Sequence, residues 1–286
     1  MLCRSAIGSI TLASAAFAAA LLTAPASARA FDQTPYPDLK GQWRRFEVGP
    51  VKFDPGKPRL QQGAPLTPEY QAIFEANLRD QDAGGQGIDP TYTCLAPGMP
   101  RQMNAYEPME IVITPDTTHI LMEHIHDNRR IYTDGRDWPA DAEPTFAGYS
   151  IGKWVDAAGG GRYDTLLVET RALKGPRVYD STGIPFHQDG QTVIKERIYR
   201  EPTEPNLLYD EMTVIDHALT HPWSVTKKYR RAEVARPVWR ETICAEQNAH
   251  VEIAKQGYML SADGYLMPTR KDQPPPDLRY FKPIRK

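Results

Sequence analysis

Residues 192–199 read Thr-Val-Ile-Lys-Glu-Arg-Ile-Tyr, residues 207–215 read Leu-Leu-Tyr-Asp-Glu-Met-Thr-Val-Ile, and residues 223–230 read Trp-Ser-Val-Thr-Lys-Lys-Tyr-Arg. Side chains on a strand alternate between its two faces, so a period of two with β-branched and aromatic residues is the signature of a half-buried strand. Working outward, the same pattern recurs at Met109–Thr114, Thr118–His126, Arg129–Thr133, Tyr149–Val155, Tyr163–Thr170 and Val238–Cys244. Turn residues separate the runs: Pro115-Asp116, Asp134-Gly135, Gly159-Gly160-Gly161, Asp189-Gly190 and the Pro202/Pro205 pair. Short strands without helices between them predict an antiparallel meander. A long meander removes its exposed edges by closing on itself. The expected fold is therefore mainly β, a calycin-like barrel with one short N-terminal helix.

That helix is expected after Thr67. Thr67 is a good N-cap, Pro68 suits the first helical position, and Glu69 favours the positive helix end. Tyr70, Ile73, Phe74 and Leu78 recur at helical spacing as a packing stripe, and Gly84-Gly85 stops it. Four stretches follow: a signal peptide over 1–30, an extension with the helix over 31–105, the barrel over 106–257, and a hairpin with a Pro-rich strap over 258–286.

The signal segment has a basic start at Arg4, an uncharged small and apolar run from Ala6 to Leu22, and a small-x-small cleavage site at Ala28-Arg29-Ala30. Its removal leaves 256 residues with 32 basic against 36 acidic side chains. A net charge of −4 argues against a nucleic-acid partner, which needs a basic surplus. No later stretch reaches the ~18 apolar residues that a membrane helix requires. The expected location is periplasmic or secreted. Of three cysteines, Cys3 leaves with the signal, and Cys94 and Cys244 remain. Two cysteines in an exported chain most simply pair. The loop so closed would contribute roughly 5 kcal/mol in the chain-entropy model.

The phrases Arg129-Arg130-Ile131-Tyr132-Thr133-Asp134-Gly135-Arg136, Ser150-Ile151-Gly152-Lys153-Trp154 and Pro222-Trp223-Ser224-Val225-Thr226-Lys227-Lys228-Tyr229-Arg230-Arg231 resemble a large family of exported bacterial proteins of sphingomonad, caulobacter and acidobacterial type. The resemblance implies export and one domain, and no particular activity. Gly41-Gln42-Trp43 is separately similar to the Gly-x-Trp that opens lipocalin-type barrels.

Alternation nominates the inward residues: Leu121, Glu123 and Ile125; Tyr163, Thr165, Leu167 and Glu169; Ile194, Glu196 and Ile198; Leu207, Tyr209, Glu211, Thr213 and Ile215; Trp223, Val225, Lys227 and Tyr229. Such a lumen is apolar with a belt of carboxylates and a lysine. Carboxylates in that setting are good general acids and bases, although a structural ion-pair network would use the same residues. The candidate catalytic groups are Glu123, Glu196, His126 and His187. Arg130, Tyr132, Tyr209 and Lys227 are the candidates for holding a ligand. His124 and His126, two apart on a strand, form a metal-ligand pair that His187 or His217 would complete. That gives the alternative of a His-ligated metalloenzyme. The leading expectation is a barrel that binds a small apolar or aromatic molecule and performs metal-free acid/base chemistry of lyase or isomerase type, with no cofactor. A structural or interaction protein without a pocket is the third reading.

Overall fold

The computed structural model describes residues 31–46, 63–83, 85–124, 128–240, 250–253, 256–260 and 266–275. The expected signal segment, His126 and Cys244 lie outside these residues. Strands β1 (Gln42–Arg45), β2 (Met109–Ile113), β3 (Thr117–Met122), β4 (Arg129–Tyr132), β5 (Tyr149–Val155), β6 (Thr165–Arg171), β7 (Val193–Arg200), β8 (Leu207–Ile215) and β9 (Trp223–Arg231) form a closed barrel in sequence order. The helix α1 spans Pro68–Asp82, with the Thr67 hydroxyl accepting from the Tyr70 amide at 3.5 Å. A separate sheet contains β10 (His250–Ile253), β11 (Gln256–Leu260) and β12 (Leu266–Pro268). Gln33–Lys286 is one compact unit.

The strand pattern of the sequence is realised, with three differences. The barrel begins earlier than residue 106, because β1 closes the ring, pairing Trp43 with Met109 of β2 and with Arg231 of β9. Trp43 is wholly buried and donates its indole N–H to the Leu39 carbonyl at 2.9 Å. The Gly-x-Trp phrase thus opens the barrel from a distance. Second, β4 and β5 pair in parallel, Ile131 opposite Ser150, whereas every other barrel pair is antiparallel. A parallel neighbour needs a crossover of a dozen or more residues, and residues 133–148 provide one. Third, residues 238–240 are not strand, and the rest of the Val238–Cys244 run lies outside the described residues.

Two of the five nominated faces point inward as expected: Ile194, Glu196 and Ile198 on β7, and Val225, Lys227 and Tyr229 on β9 are buried. On the other three strands most inward positions lie on the alternate face, although the nominated Glu123, Thr165 and Leu207 are also buried. On β3 the buried side chains are Thr118, Ile120 and Met122. On β6 Leu166, Val168 and Thr170 are buried, and Leu167 is 42% exposed. On β8 they are Leu208, Asp210, Met212 and Val214, and Ile215 faces out. Register explains β8. Pairing with β7 sets Met212 opposite Glu196 and Val214 opposite Ile194, and partners across a ladder share a face.

Candidate functional site

Six consecutive strands supply a belt of buried polar residues: Arg129 from β4, Ser150 from β5, Thr170 from β6, Glu196 from β7, Asp210 from β8 and Lys227 from β9. Arg129 binds both oxygens of Glu196, with Nη1 2.8 Å from Oε1 and Nη2 in close contact with Oε2. Strands β4 and β7 are separated by β5 and β6, so this pair runs across the barrel interior. On its way the guanidinium also meets the Ser150 hydroxyl at 3.3 Å and the Thr170 hydroxyl at 2.7 Å, and those hydroxyls bond each other at 2.8 Å. Burial disfavours the charged guanidinium. The Glu196 carboxylate outweighs it, and the Arg129 pKa ends above its ordinary value.

Asp210 is the unusual member. It is wholly buried, and neither carboxylate oxygen has a hydrogen-bond partner among the described residues. It stands opposite Lys227 in the β8–β9 register. The ammonium group nevertheless turns to the Pro100 carbonyl at 3.5 Å and the Met212 sulfur at 3.4 Å, 5.0 Å from the centre of the Tyr179 ring. Burial, reinforced by the Glu196 charge, pushes the Asp210 carboxyl up to about 7; Lys227 and Arg129 oppose this. Burial brings Lys227 down to about 8 against the pull of Asp210 and Glu196. An acid and a base whose proton affinities converge near neutrality can exchange a proton with a third group at little cost.

The segment around a buried 3₁₀ turn at Arg101–Asn104 covers these groups. Tyr229 of β9 donates to the Met103 carbonyl at 2.6 Å, Asn104 donates to the Tyr179 carbonyl at 2.5 Å, and Arg45 binds Asn104 at 2.8–2.9 Å. Gln102, 1% exposed, has neither end of its amide bonded among the described residues. A buried salt bridge between Arg101 and Asp89, 3.0 Å, ties the turn to the preceding 3₁₀ turn at Pro90–Thr93.

The other nominated residues sit apart from this belt. Glu123 is buried beyond the end of β3 and accepts from the Arg240 amide at 3.3 Å. Arg130 is exposed, because its neighbour Arg129 takes the inward position. Tyr132 lies 4.9 Å from Tyr149 with the Arg136 guanidinium stacked on it at 3.8 Å, and Tyr209 stacks on Tyr199 at 5.3 Å. Both are half-buried on the alternate positions to the inward set. Among the described residues no hydrogen bond joins Glu123, Glu196 and His187, which belong to three separate networks. His124 bonds Glu107 at 3.2 Å, which holds the Glu107 carboxyl down at about 2.

His187 lines a cleft of about 580 Å³ between α1 and the loop 176–189, with Tyr70, Ile73, Ile88 and Phe186 as its apolar wall. The α1 stripe therefore divides: Phe74 is buried, Tyr70 and Ile73 border the cleft, and the polar Asn77 anchors the helix by donating to the Thr182 carbonyl at 2.6 Å. Cys94 is disulfide-bonded; its expected pairing with Cys244 lies outside the described residues. Among the described residues no helix is long and apolar enough to cross a membrane.

Sequence reasoning placed Glu196 and Lys227 on inward faces and did not nominate Asp210, Arg129 as the inward arginine, Thr170 or Gln102. The available signal for Asp210 was its place on the second apolar stripe of β8, Leu208-x-Asp210-x-Met212-x-Val214. No family model matches this chain, and no curated protein matches it.

Proposed function

We propose that this chain is an exported β-barrel protein that takes a small, largely apolar or aromatic molecule against the Asp210–Lys227 pair and carries out proton transfer on it, in a reaction of lyase or isomerase type. The observation that carries the reading is the Asp210 carboxyl, buried in the barrel with no donor on either oxygen among the described residues. An unsatisfied buried polar group costs about 1–3 kcal/mol and calls for a partner. A bound molecule with a polar group would supply that partner. Ile194, Ile198, Leu208, Met212, Val214 and Val225 surround the belt with apolar surface, which suits such a ligand's body. Membership of the exported bacterial family that the sequence resembles belongs to the same proposal, and so does a periplasmic or secreted location. The disulfide at Cys94 fits an oxidising compartment.

Native mass spectrometry of the full chain isolated from an exporting host tests this. The expected result is a small-molecule adduct on the wild-type protein, absent from Asp210→Asn although that variant still unfolds cooperatively. In deuterated water the released molecule should carry solvent deuterium only when Asp210 is present. Bare protein mass in both samples, with no saturable uptake of 8-anilinonaphthalene-1-sulfonate, overturns the reading.

A further inference from the structure

Antiparallel pairing of β7 with β8, Val193 opposite Ile215, brings the residues before β7 and those after β8 out side by side at one end of the barrel. Three metal-binding side chains meet there. His187 and Asp189 come from the first loop and His217 from the second, and one donor atom of each lies within 4.8 Å of the others. We infer that these three residues form a binding site for a divalent transition metal at the edge of the 580 Å³ cleft.

The loops are fixed independently of any ion. Asp216, 8% exposed, accepts from the His187 amide at 2.8 Å, the Ala218 amide at 2.8 Å and the Thr192 hydroxyl at 2.5 Å, joining one loop to the other. Arg177 donates to the His187 carbonyl and, at 2.8 Å, to the Thr192 hydroxyl. A site held to its geometry by surrounding bonds loses little freedom when an ion enters.

The arrangement of lone pairs supplies the second argument. The Asp189 amide donates to His187 Nδ1 at 3.1 Å, so that nitrogen is unprotonated and presents a lone pair. Asp189 Oδ2, another acceptor, lies 3.2 Å from the same atom and also touches His217 Nδ1. Oδ1 is occupied by the Gln191 amide at 3.0 Å, which leaves Oδ2 to point at the imidazoles. Two acceptors this close repel, and a cation that takes over the Nδ1 lone pair from the amide removes the repulsion. The separation of His187 Nδ1 from Asp189 Oδ2, 3.2 Å, is close to what neighbouring positions around an ion with ~2.1 Å bonds require.

Two imidazoles and one carboxylate suit first-row ions such as Zn²⁺ and Fe²⁺, leaving coordination positions open. His187 and Asp189 both line the cleft, so a molecule there has access to the metal. The site is distinct from the Asp210–Lys227 pair, and it moves the metal reading away from His124, which bonds Glu107 instead.

Calorimetric titration of the full chain with Zn²⁺ alone is the test, supported by Co²⁺ absorption in the visible range. Wild-type protein should bind one equivalent. His217→Ala and Asp189→Asn should each weaken binding by more than the roughly 10–100-fold that follows loss of a merely supporting contact, and should abolish the Co²⁺ bands. His124→Ala should bind as the wild type does. His217 is 61% exposed, so its removal leaves the fold standing, and circular dichroism checks this. Saturable binding undiminished in His217→Ala, or no stoichiometric uptake by wild type, overturns the assignment.

Discussion

Arg129 and Glu196 show how a buried charge pair is tolerated. Removing two ions from water costs several kcal/mol each, and only good geometry with further hydrogen bonds compensates. Here both carboxylate oxygens bind one guanidinium, whose remaining donors reach Ser150 and Thr170. Glu196→Gln leaves that guanidinium uncompensated at 1% side-chain exposure and should cost about 3–5 kcal/mol in urea unfolding. The comparison is Glu211→Gln, which breaks an Arg197 pair 41% exposed on both sides and should change stability by less than about 1 kcal/mol. Equal losses in the two variants would show that the interior pair is no more important than a surface one. The same contrast separates Glu196, a structural acid by its bonds, from Asp210, which has none among the described residues.

At the level of strands, β1 is short, and its weight rests on Trp43. Trp43→Ala should destabilise by about 3–5 kcal/mol, the usual cost of emptying a buried aromatic site. Hydrogen exchange should then accelerate first along β9 at Tyr229–Arg231, the residues paired with β1. Protection that falls uniformly around the ring would contradict a local seam. Strand positions were legible in the sequence because turn residues bracket each period-two run. Which face turns inward was legible only where the opposite face is plainly polar, as with Lys195 and Arg197 on β7. On β8 both stripes carry apolar residues and one acid each, Glu211 and Asp210, so alternation does not choose between them. Register decides such cases, and a seven-residue connection such as 216–222 does not reveal register. The site was half legible for the same reason. Glu196 and Lys227 lie on unambiguous faces, whereas the meeting of His187, Asp189 and His217 depends on how two loops leave β7 and β8.

For the molecule as a whole, the interior belt makes stability depend on pH. Folded Asp210 keeps its proton up to about pH 7, whereas an unfolded aspartate releases it near 4. Between those values the folded state binds more protons, so this residue's contribution to stability falls as pH rises. Lys227 acts in the opposite sense, but only above about pH 8, where the folded state holds fewer protons. Urea midpoints measured at pH 5 and pH 7.5 should therefore differ in wild type by an Asp210 contribution of about 2 kcal/mol that Asp210→Asn lacks. Parallel profiles for the two proteins would refute it.

Closure by β1 has a further consequence in time. A chain is delivered from its N-terminus, so Trp43 emerges before either of its strand partners exists. Arg231 donates to the Asp38 carbonyl across 193 residues of sequence, and β1 cannot be locked between β2 and β9 until that length has appeared. Until then the largest wholly buried side chain of the barrel travels uncovered, and the open edges of β2 and β9 can pair with a neighbouring nascent chain. The last barrel strand completes the first, so a ribosome that stalls before residue 223 releases an open sheet.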